Sequence, residues 1–327
     1  LNDLITAKAS TIRFWNFGGT AINLARSYRH DQPANPIQQA EELFTYVDTS
    51  FSNLAGAADD DLFVINGGKG LGKDQKKGIE IFKKELPNIM AKNKPGVINV
   101  VVLGISGGTG STGGRMCIEK LLEAGEDVFA ILISSHDSDR STANAIGCVI
   151  NLEKAVKRTG RPLVAYYYEN DRTLSLPKNN TAPLFVMRLL SILASGKNLH
   201  LDISDVSNLI NYNRVTKYDP ALSLLEVYAG EEMLLKNSKN LIGFAALLKS
   251  KEEVMPQVKA AYDTVGYLPE EGRVFDNSFY YTVSTTGFGK ILEKLRGDLE
   301  EYTRGNQGSE TVATLLTGEE DEEDTVL

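Results

Sequence analysis

The chain has 327 residues, 42% hydrophobic and 24% charged, which is enough for two domains that each bury a core. Of the formal net charge of −8, the acidic run at 319–324 supplies −6, so the body is close to neutral, which argues against nucleic acid as a direct partner. No apolar run reaches the roughly 20 residues of a membrane span, residues 1–8 lack a signal-peptide layout, and Cys117, Cys148 and three histidines fall in no zinc-binding spacing, so buried free thiols in a reducing cytoplasm are expected.

Taken in order, residues 11–17 read as a first strand, followed by Gly18-Gly-Thr-Ala-Ile-Asn23 as a tight turn opening a helix. Pro, Asn and Gln between Asp31 and Pro36 mark an exposed loop, and a short strand at 43–48 ends in Asp48. Another strand, 61–66, enters Gly67-Gly-Lys-Gly-Leu-Gly-Lys-Asp74. This stretch meets most of the P-loop pattern, but Asp74 stands where a Ser or Thr hydroxyl would reach Mg²⁺, and a carboxylate beside the phosphates would repel them. The helix expected over 73–94 exposes Lys76, Lys77, Lys83, Lys84 and Lys92, the best basic surface in the chain.

The apolar strand 100–103 runs into a loop where five of the eight residues from Gly107 to Gly114 are glycine, and then into a helix from Met116. Glycine permits positive φ and close approach of the backbone to a ligand, so successive N–H groups can form a nest for a phosphate. The hydroxyls of Ser106, Thr109, Ser111 and Thr112 add donors, and the dipole of the following helix favours the same anion. Gly108-Thr-Gly-Ser-Thr-Gly113 also fits the dinucleotide pattern G-x-G-x-x-G, which leaves the nucleotide's identity open on this motif alone.

Residues 127–135 form a continuous apolar strand suited to the middle of a parallel sheet, and His136-Asp-Ser-Asp-Arg140 follows it. A further strand, 162–168, stops at Glu169-Asn-Asp171, and Leu184, Met187, Leu190, Ser191 and Ala194 set a helical period with Pro183 near its start and Gly196 as a stop. Asp202 and Asp205 lie one helical turn apart, so both carboxylates can face one way, although an Asp at Asp202 also suits a plain helix cap. Strands are expected at 221–228, 241–248 and 278–284, with helices at 230–239 and 251–265. An amphipathic helix at 289–302, expected to pack on its own domain, leads to a linker-like stretch and the acidic tail.

The string Gly107-Gly-Thr-Gly-Ser-Thr-Gly113 resembles the tubulin/FtsZ signature GGTGSG with one Thr inserted before the last Gly, and the remaining motifs follow in that family's order. The resemblance implies an α/β chain: a Rossmann-like GTPase domain on a parallel sheet (1–180), a central helix and catalytic loop (181–210), a smaller α/β domain (211–287), and a C-terminal helix with an acidic tail (288–327). It implies GTP or GDP with Mg²⁺, held by Gly18, Gly19, Thr20 and Asn23 in the first loop, with Asn23 at the base. Asp48 would lie near the phosphates and metal. Gly67, Gly68 and Lys69, with Lys73 as an alternative source of charge, would meet the terminal phosphate, and Gly107, Gly108, Thr109, Gly110, Ser111 and Thr112 would cradle the phosphates. Asp139 and Arg140, with Asp137 a further candidate, would hold the ribose, Asn170 the guanine edge, and Asn180 or Asn179 the base from the central helix.

By the same resemblance, Asp202 and Asp205 act on the γ-phosphate held by a neighbouring subunit, so hydrolysis requires head-to-tail stacking. His200 replaces the family's usual Asn in that loop. The short chain, compact second domain and acidic end resemble the phage-encoded tubulins of the PhuZ type. That implies a filament of this protein alone, with its tail docked on the adjacent subunit, positioning phage DNA or the phage nucleus in the host bacterial cytoplasm without binding nucleic acid or membrane itself. Two rivals are an NAD(P)-dependent Rossmann oxidoreductase, resting on the 108–113 match and Asp137, and a nucleotide-binding scaffold that does not hydrolyse.

Overall fold

The computed structural model describes residues 11–30, 40–53, 62–135, 137–171, 173–195, 198, 200–237, 240–268 and 277–305. The acidic tail and its docking, the loop expected between Asp31 and Pro36, and the positions of His136 and Gly196 lie outside the described residues.

Among the described residues ten strands form one sheet: β1 (Thr11–Phe17), β2 (Glu41–Asp48), β3 (Leu62–Val64), β4 (Ile98–Gly104), β5 (Val128–Ser134), β6 (Leu163–Glu169), β7 (Leu222–Ala229), β8 (Leu241–Leu248), β9 (Ala260–Tyr267) and β10 (Phe279–Ser284). Their order is β3-β2-β1-β4-β5-β6-β7-β10-β8-β9, and every pairing is parallel except the two made by β10. The mixed α/β architecture expected from the sequence is present, and a parallel ladder between β6 and β7 joins its two halves into a continuous sheet.

Among the described residues eight α-helices cover the faces: α1 (Gly19–His30), α2 (Gln75–Lys92), α3 (Arg115–Glu123), α4 (Asp139–Thr159), α5 (Leu176–Leu193), α6 (Ile203–Ile210), α7 (Glu231–Asn237) and α8 (Gly287–Gly305). Alternate side chains of a strand point to opposite faces, so the central strands feed two cores. Val100 and Val102 join α1, α5 and α6 in one core. Val101 and Leu103 join α2, α3, α4 and α8 in the other. Burial on both faces explains the unbroken apolar runs at 100–103 in β4 and 128–133 in β5. The C-terminal helix α8 inserts Phe288, Leu292, Leu295 and Leu299 into the core it shares with α4, so it packs on the first half of the molecule as well as on its own. Among the described residues no helix is long and apolar enough to cross a membrane.

Three expected elements differ. The helix expected at 251–265 is instead a turn followed by β9, because Pro256 interrupts any helix there and Tyr262, Thr264, Val265 and Tyr267 suit a strand paired with β8. Helix α5 starts at Leu176, with Pro177 in its first turn, so Pro183 lies inside the helix rather than at its start. None of the glycines from Gly107 to Gly114 adopts positive φ. They are needed for close packing: a Cβ on Gly110 would lie 2.4 Å from the Gly104 carbonyl oxygen, and one on Gly113 would lie 2.3 Å from the Phe82 ring.

Candidate functional site

The carboxyl ends of β1, β2, β4, β5 and β6 open onto a cleft of about 440 Å³, the edge of an open parallel sheet where ligands bind. Two helix starts converge there. At the first, Gly18 has φ of 84°, its amide donates to Val47 O, and α1 begins at the next residue. At the second, the turn Gly110–Gly114 is π-helical and continues directly into α3. The Arg115 amide reaches back to Gly110 O, five residues earlier, and a single inserted residue is what such a bulge accommodates. Gly18 and Gly110 pack so closely that a Cβ on Gly18 would lie 3.4 Å from the Gly110 nitrogen. The first amides of a helix have no intrahelical acceptor, and both dipoles favour an anion between them.

Of the residues anticipated from sequence, Gly18, Gly19, Thr20, Asn23, Asp48, Gly107, Gly108, Thr109, Gly110 and Asn170 all line this cleft. Asp48 is buried, and its Oδ1 accepts from the amides of Thr49 (2.6 Å) and Ser50 (3.2 Å) and from the Thr109 hydroxyl (3.2 Å). The loops that follow β2 and β4 are thereby tied together, and the Thr49 and Thr109 hydroxyls add a 2.7 Å contact. The side-chain amides of Asn23 and Asn170 make no hydrogen bond with the described residues. Each offers a donor and an acceptor to whatever enters.

Other anticipated residues are placed differently. The hydroxyls of Ser111 and Thr112 turn back into the loop, donating to Gly107 O and to Gly108 O (2.6 Å for Thr112), so they close the π turn and do not line the cleft. Gly67, Gly68 and Lys69 form the outer rim of their loop: the Phe51 ring lies against Gly68, and Lys69 makes an antiparallel bridge with Ser50. The segment that lines the cleft is displaced by three residues, to Gly70, Leu71, Gly72 and Lys73, and Lys73 is the one cation among the described lining residues. Asp74 is the N-cap of α2, accepting from the Lys77 amide at 3.1 Å, which explains the carboxylate that spoils the P-loop pattern.

Asp139 and Arg140 begin α4 outside the cleft lining. The Arg140 guanidinium donates to Lys73 O at 3.2 Å, and the Lys73 ammonium lies 3.5 Å from Asp137. Burial pushes the Asp137 carboxyl up, but the Ser141 hydroxyl and Lys73 outweigh it and hold the group below its ordinary range. An oxidoreductase would need Asp137 at the ribose, yet Asp137 faces Lys73 and does not line the cleft. Asn180 sits in α5 one turn behind Leu176, which does line the cleft. Asn179 clamps the preceding loop, accepting from the Asp171 amide and donating to Asp171 O, both at 2.8 Å.

Asp202 and Asp205 stand at the opposite edge of the sheet. Helix α5 begins at the cleft and its 18 residues carry the chain about 27 Å away. Near its far end, Ser191 O accepts from the Ala40 amide, just before β2, whose other end is Asp48. Asp202 caps α6, accepting from the amides of Ser204 (2.7 Å) and Asp205 (3.1 Å), while Asp205 Oδ2 accepts from the Asp202 amide at 3.1 Å. Asp205 faces an open hollow with His200, Thr264 and Tyr267, and His200 is held at φ of 66° with its ring edge-on to Tyr267. The cap expected at Asp202 is present, and of the two acids Asp205 is the one that lines the hollow among the described residues.

A mostly parallel sheet with a glycine-walled cleft at its carboxyl edge, and a long helix leading from it to an acid pair at the other edge, is the architecture of the tubulin-like class. No protein-family model matches the chain. It is 30% identical to a phage tubulin-like protein of Pseudomonas phage PhiPA3 over 172 residues, 52% of this chain and 54% of that protein, so the match spans about half of that relative. A phage tubulin-like protein of Pseudomonas phage phiKZ is 25% identical over 270 residues, covering 78% of this chain and 80% of the relative. The structure described as a protofilament of TubZ from bacteriophage PhiKZ superposes with a TM-score of 0.82 over 91% of this chain and 92% of that one, at 23% identity. The phage tubulin PhuZ with GDP superposes with a TM-score of 0.80 over 90% and 91%, at 18% identity. The chain has the tubulin-like fold and is similar to tubulin-like proteins encoded by phages.

Proposed function

We propose that this chain is a GTPase that polymerises head to tail and hydrolyses GTP between stacked subunits. The observation that carries the proposal is the separation of its parts: the anion cradle and the paired carboxylates lie at opposite edges of one sheet. Stacking would bring the acids of one molecule to the cleft of the next. A relative has been seen as a protofilament and another with GDP, which supports self-association and a guanine nucleotide as the ligand.

In this reading the amides of Gly107 to Gly110 and of the first turn of α1 hold the phosphates, with Lys73 adding charge, and Asn23 and Asn170 meet the two sides of the guanine. Asp48, the one carboxylate among the described residues lining the cleft, would help hold Mg²⁺. Mg²⁺ needs only one or two carboxylates besides phosphate and water oxygens, so the donor set fits, and the ion would neutralise phosphate charge. Asp202 and Asp205 would orient the attacking water from the next subunit, since positioning supplies most of the catalysis in phosphoryl transfer.

We further propose the division into a GTPase domain through residue 180, a central helix and catalytic loop through 210, a second domain through 287, and a C-terminal helix with an acidic tail that docks on the adjacent subunit. The filament would position phage DNA or the phage nucleus in the host cytoplasm. Electron microscopy of the protein with GTP, joined to phosphate release by Asp202→Ala, tests the central proposal. Filaments that keep bound GTP in the variant while turnover disappears are expected; undiminished turnover in the variant removes the acid pair from the reaction.

A further inference from the structure

The capping box at α6 does not use the whole Asp205 carboxylate. Its Oδ2 accepts from the Asp202 amide, which completes the box. Its Oδ1 accepts at 3.1 Å from the phenol of Tyr262, which belongs to β9, the edge strand of the sheet and a different element from α6. The same phenol lies 3.4 Å from the Asp205 carbonyl oxygen. A helix start needs no such second donor. With one oxygen held by its own helix and the other by β9, the plane of the carboxylate is fixed. An ionised carboxylate has about four lone-pair positions, so two remain for water on the side of the hollow shared with His200 and Tyr267.

We infer that Tyr262 is a positioning residue for hydrolysis, holding Asp205 in the orientation from which it takes a hydrogen bond from water at the neighbouring subunit's nucleotide. This rests on the proposed role of the acid pair and adds a residue to it. Burial, and after it the charge of Asp205, pushes the Tyr262 phenol up to about 12, so it stays protonated and donating at working pH. The titratable groups facing Asp205 are Asp202 in its own capping box, His200, and Tyr262 and Tyr267 on β9.

The test compares full-length wild type with Tyr262→Phe, which keeps the ring and removes only the donor. Polymer is measured by sedimentation, bound nucleotide by extraction, and phosphate release per polymerised subunit over a range of GTP concentrations. The expected result is an unchanged critical concentration and nucleotide content, with kcat down about tenfold, the size of one charge-assisted hydrogen bond, and KM unchanged, a split that a purely structural role would not cause. Wild-type kcat overturns the inference, while Asp205→Asn run beside it shows whether the acid pair acts at all. If the Phe variant does not polymerise, Tyr262→difluorotyrosine decides the matter: it keeps the donor, so turnover near that of wild type is expected, and a tenfold loss overturns the inference.

Discussion

The cleft and the acid pair are built in different ways. The cleft is made of backbone: its walls are glycines packed against other backbone, and a Cβ at Gly18 would touch Gly110 while one at Gly110 would touch the end of β4. The acid pair is made of side chains on a short helix, held by a capping box and a phenol. One end of the molecule should therefore be intolerant of added atoms, and the other of lost charge.

The largest expected effect is at the cleft. In Gly110→Ala the new carbon meets the Gly104 carbonyl oxygen at 2.4 Å. Backbone cannot yield there as a flexible side chain would, so a loss of about 3 kcal/mol is expected, read as a lower Tm together with loss of bound nucleotide. A variant that melts like wild type and keeps its nucleotide would show that the loop is slacker than described.

Asp202→Asn sharpens the other side of the contrast. Asn is as good an N-cap as Asp, so Tm should stay put while turnover falls about 100-fold. A fall in Tm with turnover intact would reduce Asp202 to a cap.

Smaller again is Lys73→Gly. Lys73 is held at φ of 64°, which glycine adopts without strain, so the variant removes charge without harming the backbone. Nucleotide affinity should weaken about tenfold, in keeping with loss of one contact to a charged group, and equilibrium binding of a labelled nucleotide would measure it. Unchanged affinity would mean that Lys73 serves only Asp137.

Thr112→Ser should do least. It keeps the oxygen that closes the π turn and removes one buried methyl, a cost of about 1 kcal/mol. Affinity for nucleotide should not change, and a several-fold drop in the same binding experiment would place Thr112 among the ligands.

Much of the cleft was legible in the sequence because strand ends and glycines are local signals. Asn23, Asp48 and Asn170 each follow or end a strand that could be read from its apolar run, and a parallel sheet brings such ends to one edge. The third loop slipped by three residues because Gly67-Gly-Lys-Gly-Leu-Gly-Lys73 repeats itself, and nothing in the string says which glycines face inward. Positive φ at a lysine leaves no trace in sequence either. Within the helix expected at 251–265, Val254, Val258, Tyr262 and Val265 recur at helical spacing, a pattern that the ladder with β8 overrides. The same misreading hid Tyr262, whose bond to Asp205 joins residues far apart in the chain.

The claim that half a reaction centre lies at each end is tested most directly by GTP turnover per subunit as concentration is raised through the assembly threshold. Turnover should be near zero when the protein is dilute and rise in step with polymer mass. Full turnover per subunit in the dilute, unassembled protein would contradict it.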